Sequence, residues 1–126
     1  MRLLLDTHIL LWCLGDNPAL PPQAKVLIAD SYNEVFVSPI SLWEIAIKVR
    51  LGKLVADAGE VREAALESGF AQLPFLLEHA VAVAQLPDHH RDPFDRALVA
   101  QAHCEPLRLL THDPMVAAYG GTVLLV

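Results

Sequence analysis

Five short β-rich runs are spaced along this sequence, at residues 2–5, 34–38, 70–74, 107–111 and 122–126. Stretches with helical periodicity fill most of the intervals, at 8–14, 22–30, 41–51, 57–68, 76–86 and 92–104, and a short helical turn is expected at 115–119. That alternation constrains the fold more than any other feature. Strands joined through helices pair in parallel, and a parallel sheet must be covered on both faces. The expected class is α/β, a three-layer α/β/α sandwich with a mostly parallel central sheet. Leu3-Leu4-Leu5 is apolar without alternation, as a central strand buried on both faces should be. The run at 70–74 alternates and carries Pro74, which cannot donate to a ladder, so it belongs at an edge. With no repeat or linker, residues 1–126 read as a single domain.

In such sheets, sites form beyond the carboxyl ends of the strands. Asp6 follows the first strand, Glu44 the second and Asp113 the fourth. Asp92-Pro93-Phe94-Asp95 opens the helix that precedes the fourth strand, with an N-cap acid and proline at the first helical position. Each acid has an ordinary reading. Asp6 and Asp92 can cap helices, and Glu44 can close a capping box with Ser41. If the central strands are neighbours, however, four or five carboxylates meet on one sheet edge. Gathered there they repel one another, unless a cation neutralises them. Oxygen-only ligands suit Mg²⁺ or Mn²⁺.

Other chemistries fit less well. There is no Gly-rich phosphate loop and no nucleophile elbow. His89 and His90 are adjacent, and no Cys or His recurs at zinc-site spacing, so they read as loop residues near the site mouth. An aspartyl-phosphate enzyme would carry a second Asp two residues after Asp6, where His8 stands. What remains is metal-assisted hydrolysis of a phosphodiester. No apolar run approaches the ~20 residues of a membrane helix, and the leucines at the start are cut by Asp6 and His8, unlike a signal peptide. Cys13 and Cys104 lie in apolar helical patterns and are expected to be buried thiols in a reducing cytoplasm. A net charge of −6 argues against a generally basic nucleic-acid-binding surface.

The segments Leu3-Leu4-Leu5-Asp6-Thr7-His8, Ser41-Leu42-Trp43-Glu44-Ile45-Ala46, Asp92 to Ala102 and Leu109-Leu110-Thr111-His112-Asp113, in this order and spacing, resemble the PIN-domain ribonucleases. More narrowly, they resemble the VapC-type toxins of bacterial toxin–antitoxin pairs. The resemblance covers essentially the whole chain. It implies a four-acid site of Asp6, Glu44, Asp95 and Asp113, with Asp92 as a nearby fifth acid that assists or merely caps. It also implies Mg²⁺ or Mn²⁺, RNA cleavage in the cytoplasm, a homodimer, and a small cognate antitoxin. In that scheme Asp6 and Asp95 are the main metal ligands, and Asp113 and Glu44 bind through water or a second ion. Thr7 bonds a ligand carboxylate or phosphate, or caps its helix. Arg96 touches RNA phosphates or forms a surface salt bridge, the second being favoured. Trp43 is expected in the core rather than stacked on a base. Lys48, Arg50 and Lys53 default to a solvated face. The rival reading is a non-catalytic PIN-like scaffold that binds a protein partner.

Overall fold

The computed structural model describes residues 1–126. Five strands form one sheet: β1 (Arg2–Leu5), β2 (Glu34–Val37), β3 (Ala71–Gln72), β4 (Arg108–Thr111) and β5 (Val123–Leu125). Their order is β3-β2-β1-β4-β5, and every neighbouring pair is parallel. The helices are α1 (Thr7–Leu14), α2 (Pro22–Ala29), α3 (Pro39–Arg50), α4 (Ala58–Glu67), α5 (Leu77–Val83), α6 (Pro93–Cys104) and α7 (Pro114–Ala117). The expected three-layer α/β/α arrangement is therefore present, with the 70–74 run reduced to a two-residue edge strand.

Side chains alternate across the sheet and build two cores. Leu4, Phe36 and Leu109 face Leu98 and Ala102 of α6 and Val116 of α7. Leu5, Val35, Val37 and Leu110 face Ile9 and Leu10 of α1, Ala24 of α2 and Ala65 of α4. Leu3, Leu4 and Leu5 are all fully buried, as a central strand requires. β1 lies between β2 and β4, so the chain leaves β1 in one direction early and returns to its other side late. The crevice at that reversal lies beyond the carboxyl ends of β1 and β4, where ligand sites form in open α/β sheets.

Two expectations about α3 are corrected. The helix opens at Pro39 rather than Ser41, and Ser38 is its N-cap, accepting from the Ile40 N–H at 3.1 Å. Ser41 and Glu44 therefore form no capping box; both lie inside the helix and are buried. Trp43 is 59% exposed and meets Phe94 edge-on at 5.2 Å, so it is not a core residue. Cys104 is also exposed, at the end of α6, and Cys13 is half-buried.

A buried strut ties α3 to α6. The Ser38 hydroxyl donates to Gln101 Oε1 at 2.6 Å, and Gln101 Nε2 donates to the Leu73 and Pro74 carbonyls at 3.3 and 3.2 Å. Gln101 is fully buried, so these groups have no water to turn to. Gln101→Leu is expected to lower the unfolding free energy by about 2–3 kcal/mol, because it strands a hydroxyl and two carbonyls. The midpoint of urea unfolding measures this; an unchanged midpoint would mean that the strut contributes nothing.

Candidate active site

The elements that carry the acids converge because β1, β2 and β4 are neighbours. Asp6 follows the last residue of β1, caps α1 and is almost wholly buried. Its Oδ1 accepts from the Thr7 N–H at 2.6 Å, and its Oδ2 accepts from the Thr111 hydroxyl at 2.6 Å. The carboxylate is thus clamped between β1 and β4. Burial pushes the Asp6 carboxyl above its ordinary range, although the Thr111 hydroxyl, His8 and the Thr7 N–H all pull the other way.

Glu44 enters from α3, also buried. The Thr7 hydroxyl donates to its Oε1 at 2.7 Å and lies 3.0 Å from Ser41 Oγ. The Lys48 ammonium, one turn on, reaches Oε2 at 2.5 Å. That bond to Glu44 is the main reason the Lys48 ammonium is pushed above its usual range, with Asp92 and Asp95 adding to it. Lys48 is therefore no member of a merely solvated face.

Asp95 sits in the first turn of α6. Its carboxyl is pushed up to about 8, first by burial and then by the charges of Asp6, Asp92, Glu44 and Asp113. The five acids singled out in the sequence are thus within electrostatic reach of one point. Asp92 spends Oδ1 on capping α6, accepting from the Phe94 and Asp95 N–H groups at 2.9 and 3.1 Å. Asp113 likewise spends Oδ1 on α7, accepting from Met115 N–H at 2.9 Å. Each keeps Oδ2 free, so capping and a role in the site do not compete.

No three of these acids bring carboxylate oxygens within 4.8 Å of one another; the one such group is Glu78, His79 and Glu105, at the far end of α6. His79 is an unsuitable ligand there. Its Nδ1 accepts from the Leu76 N–H at 2.9 Å, and its Nε2 lies 2.8 Å from Glu105 Oε1. A neutral imidazole has one lone pair. Here the backbone takes it, so Nε2 carries the proton that Glu105 accepts. The trio is a brace between α5 and α6. At the sheet edge, by contrast, the donors are all oxygens, and an uncompensated excess of negative charge faces Asp95. A donor set of oxygens alone is the kind that a hard divalent cation takes, and Asp6, Asp95, Asp113 and Glu44 are the residues that could hold one.

Several bonds around the acids were not foreseen from sequence. His90 Nε2 lies 3.2 Å from Asp95 Oδ2, and its Nδ1 lies 2.8 Å from the Tyr119 hydroxyl. Arg96, which the sequence offered as an RNA contact or, in preference, a surface salt bridge, is mostly buried itself and does pair with the exposed Asp88, Nη2 to Oδ1 at 3.7 Å. It donates to Tyr119 Oη and Pro87 O, both at 2.9 Å, and to Val83 O and Leu86 O at 3.3 and 3.4 Å. In the sequence, Lys48 is signalled by its place four residues after Glu44, and His90 reads as a loop residue near the site mouth; Tyr119 carries no signal. Two cavities flank the acids. One of about 340 Å³ is lined by Asp6, Asp113, His8, Trp12 and His112, whose rings pack at 5.8–5.9 Å. The other lies between α1 and the end of α3.

The PIN-domain family matches residues 3–121, nearly the whole chain. The chain belongs to the PIN-domain family. PIN domains are generally nucleases and typically bind a divalent metal. The fold is similar to VapBC2 from Rickettsia felis, seen bound to a DNA fragment from their promoter, with 16% identity, a TM-score of 0.70, and 100% and 98% of the two chains covered. It is similar to a toxin–antitoxin complex from Klebsiella pneumoniae, with 22% identity, a TM-score of 0.64, and 96% and 94% covered. FitAcB from Neisseria gonorrhoeae is also similar, at 20% identity and a TM-score of 0.60, with 97% and 96% covered. No curated protein matches. No helix of this PIN domain is long and apolar enough to cross a membrane.

Proposed function

We propose that this PIN domain is a Mg²⁺- or Mn²⁺-dependent endoribonuclease, the toxin of a VapBC-type pair, which hydrolyses RNA phosphodiester bonds in the cytoplasm. The observation that carries the reading is Asp95, partly buried at a helix start, with Asp6, Glu44, Asp92 and Asp113 all acting on its charge. A fold spends stability to gather like charges in this way. Asp6, Asp95, Asp113 and Glu44 would hold a divalent cation, which would offset that repulsion and supply Lewis-acid polarisation of the phosphate and activation of the attacking water.

The chain's own residues hold the ligand set. Asp6 is fixed by Thr7 and Thr111, and Glu44 by Thr7 and Lys48. Thr7 therefore acts on carboxylates rather than on RNA. Asp92 and Asp113 offer their uncapped oxygens. His8, Trp12 and His112 give a flanking surface on which a base can stack. The likeness to structures of toxin–antitoxin complexes supports a small protein antitoxin as partner. A homodimer is expected as well, and exposed Leu51 and Leu66 are available to an interface.

The test is cleavage of a mixed RNA pool by pure protein with Mg²⁺ or Mn²⁺, and with chelator added. Cleavage that requires the ion is the expected result. Inert protein that nonetheless binds a partner tightly would favour the non-catalytic scaffold.

A further inference from the structure

We propose that the cavity between α1 and the carboxyl end of α3 is a phosphate subsite, which takes one backbone phosphate of single-stranded RNA next to the acids. This rests on the ribonuclease reading above and gives that site a substrate contact. The cavity measures about 270 Å³ and is lined by Thr7, His8, Glu44, Lys48 and Lys53 among others. Thr7 and Glu44 belong to the acidic site as well, so the two spaces adjoin.

Charge makes the cavity stand out. The chain has 9 Lys and Arg against 15 Asp and Glu, yet two lysines line this one small space. Lys48 neutralises Glu44. Lys53 forms no ion pair at all. The cavity therefore carries a net positive charge beside a centre that is otherwise acidic. Its size suits one phosphate and part of a sugar rather than a whole drug-sized ligand. An ammonium recognises phosphate as a point charge and needs no planar fork.

The sequence builds this placement at the end of α3. Gly52 adopts φ 72°, a left-handed conformation that costs glycine little. Its N–H donates to Val49 O at 3.0 Å, and the Lys53 N–H donates to Lys48 O at 2.8 Å. These two bonds close the helix and turn residue 53 back over the last turn. Lys53 thereby lines the same cavity as Lys48, although five positions separate them. Lys53 is exposed, and Lys25, Arg50, Arg91 and Arg108 also lack an ion pair, but of these only Lys53 lines a cavity that Thr7 and Glu44 line as well. The anion nearest a phosphodiesterase centre is the phosphate adjoining the scissile one.

The test is binding of a short single-stranded RNA in chelator, read by fluorescence anisotropy across a salt series. Lys53→Gln should weaken binding about 5–10-fold and flatten the slope of log affinity against log salt by about 0.7, the share of one phosphate. Lys25→Gln on α2, which lines neither cavity, should change neither quantity. Placing a neutral methylphosphonate at each linkage in turn should reveal one position where wild type loses affinity and Lys53→Gln does not. If wild type binds RNA and Lys53→Gln binds it with the same affinity and slope, the subsite is wrong and the nuclease reading stands. Wild type that neither binds nor cleaves RNA would overturn both.

Discussion

Replacing Asp95 with Asn is expected to reduce metal-dependent RNA cleavage at least about a hundredfold while making the metal-free protein more stable. The two effects have one cause. Asp95 is held among four other acids, and its carboxyl is pushed up to about 8 by burial and by their charges. Its ordinary value is 3.8. Between those pH values the unfolded chain releases the proton and the folded chain keeps it. Stability is therefore eroded as pH rises above about 4, and the loss is complete above about 8. Asn carries no charge to repel. The melting temperature of Asp95→Asn should match wild type near pH 4 and exceed it at pH 8.5 by on the order of 5 °C. Adding Mg²⁺ or Mn²⁺ at pH 8.5 should raise wild type and leave the variant nearly unmoved, because only wild type keeps the full ligand set. A variant less stable than wild type at pH 8.5 would mean that Asp95 is an ordinary first-turn acid. Undiminished cleavage would place the chemistry elsewhere.

That gain on removing a residue separates a functional cluster from a set of helix caps, and the sequence alone left the choice open. The period-2 and period-3.6 patterns carried the architecture, because each buried face repeats along its own segment. Leu3-Leu4-Leu5 announces a central strand, and its three leucines are indeed fully buried. Asp92-Pro93 announced α6 correctly. The same N-cap-proline signal stands at Ser38-Pro39 and Asp113-Pro114, and it opens α3 and α7. Ser41 and Glu44 imitate a capping box closely enough to obscure it. Once α3 begins at Pro39, Glu44 falls on the face toward Thr7 and Trp43 on the face toward solvent. Neighbours on a helix point about 100° apart, so the turn that buries Glu44 leaves Trp43 facing solvent. Contacts between segments that are distant in sequence had no such signal. Thr111 reaches Asp6 and Tyr119 reaches His90 only because the sheet and the α6–α7 connection bring them together. Nothing in local spacing encodes those meetings.

The same distinction applies to Arg96, whose loss should be felt as structure and not as charge. Its guanidinium ties the end of α5 and the loop before α6 to Tyr119 through Val83 O, Leu86 O, Pro87 O and the Tyr119 hydroxyl. The Tyr119 hydroxyl accepts from Arg96, so its own proton is free to go to His90 Nδ1. His90 then holds its proton on Nε2, facing Asp95 Oδ2. Arg96 is thus a positioning residue, three bonds removed from the acid it serves. Arg96→Met keeps most of the aliphatic stem but leaves four carbonyls, of Val83, Leu86, Pro87 and His90, and the Tyr119 hydroxyl without their donor. The expected cost is about 2–4 kcal/mol in urea unfolding. Arg96→Lys should recover little, because one ammonium cannot span the five acceptors of the guanidinium. Tyr119→Phe should be milder in stability, yet it should alter the pH profile of cleavage, since it frees the His90 tautomer. Salt dependence gives the decisive comparison. If Arg96 touched RNA, Arg96→Met would flatten the salt slope of RNA binding by about 0.7. A clamp that never meets the phosphate leaves that slope unchanged while the protein unfolds at lower urea. A flattened slope with an unaltered unfolding midpoint would restore Arg96 to the RNA-binding surface and take from it the role of holding His90 against Asp95.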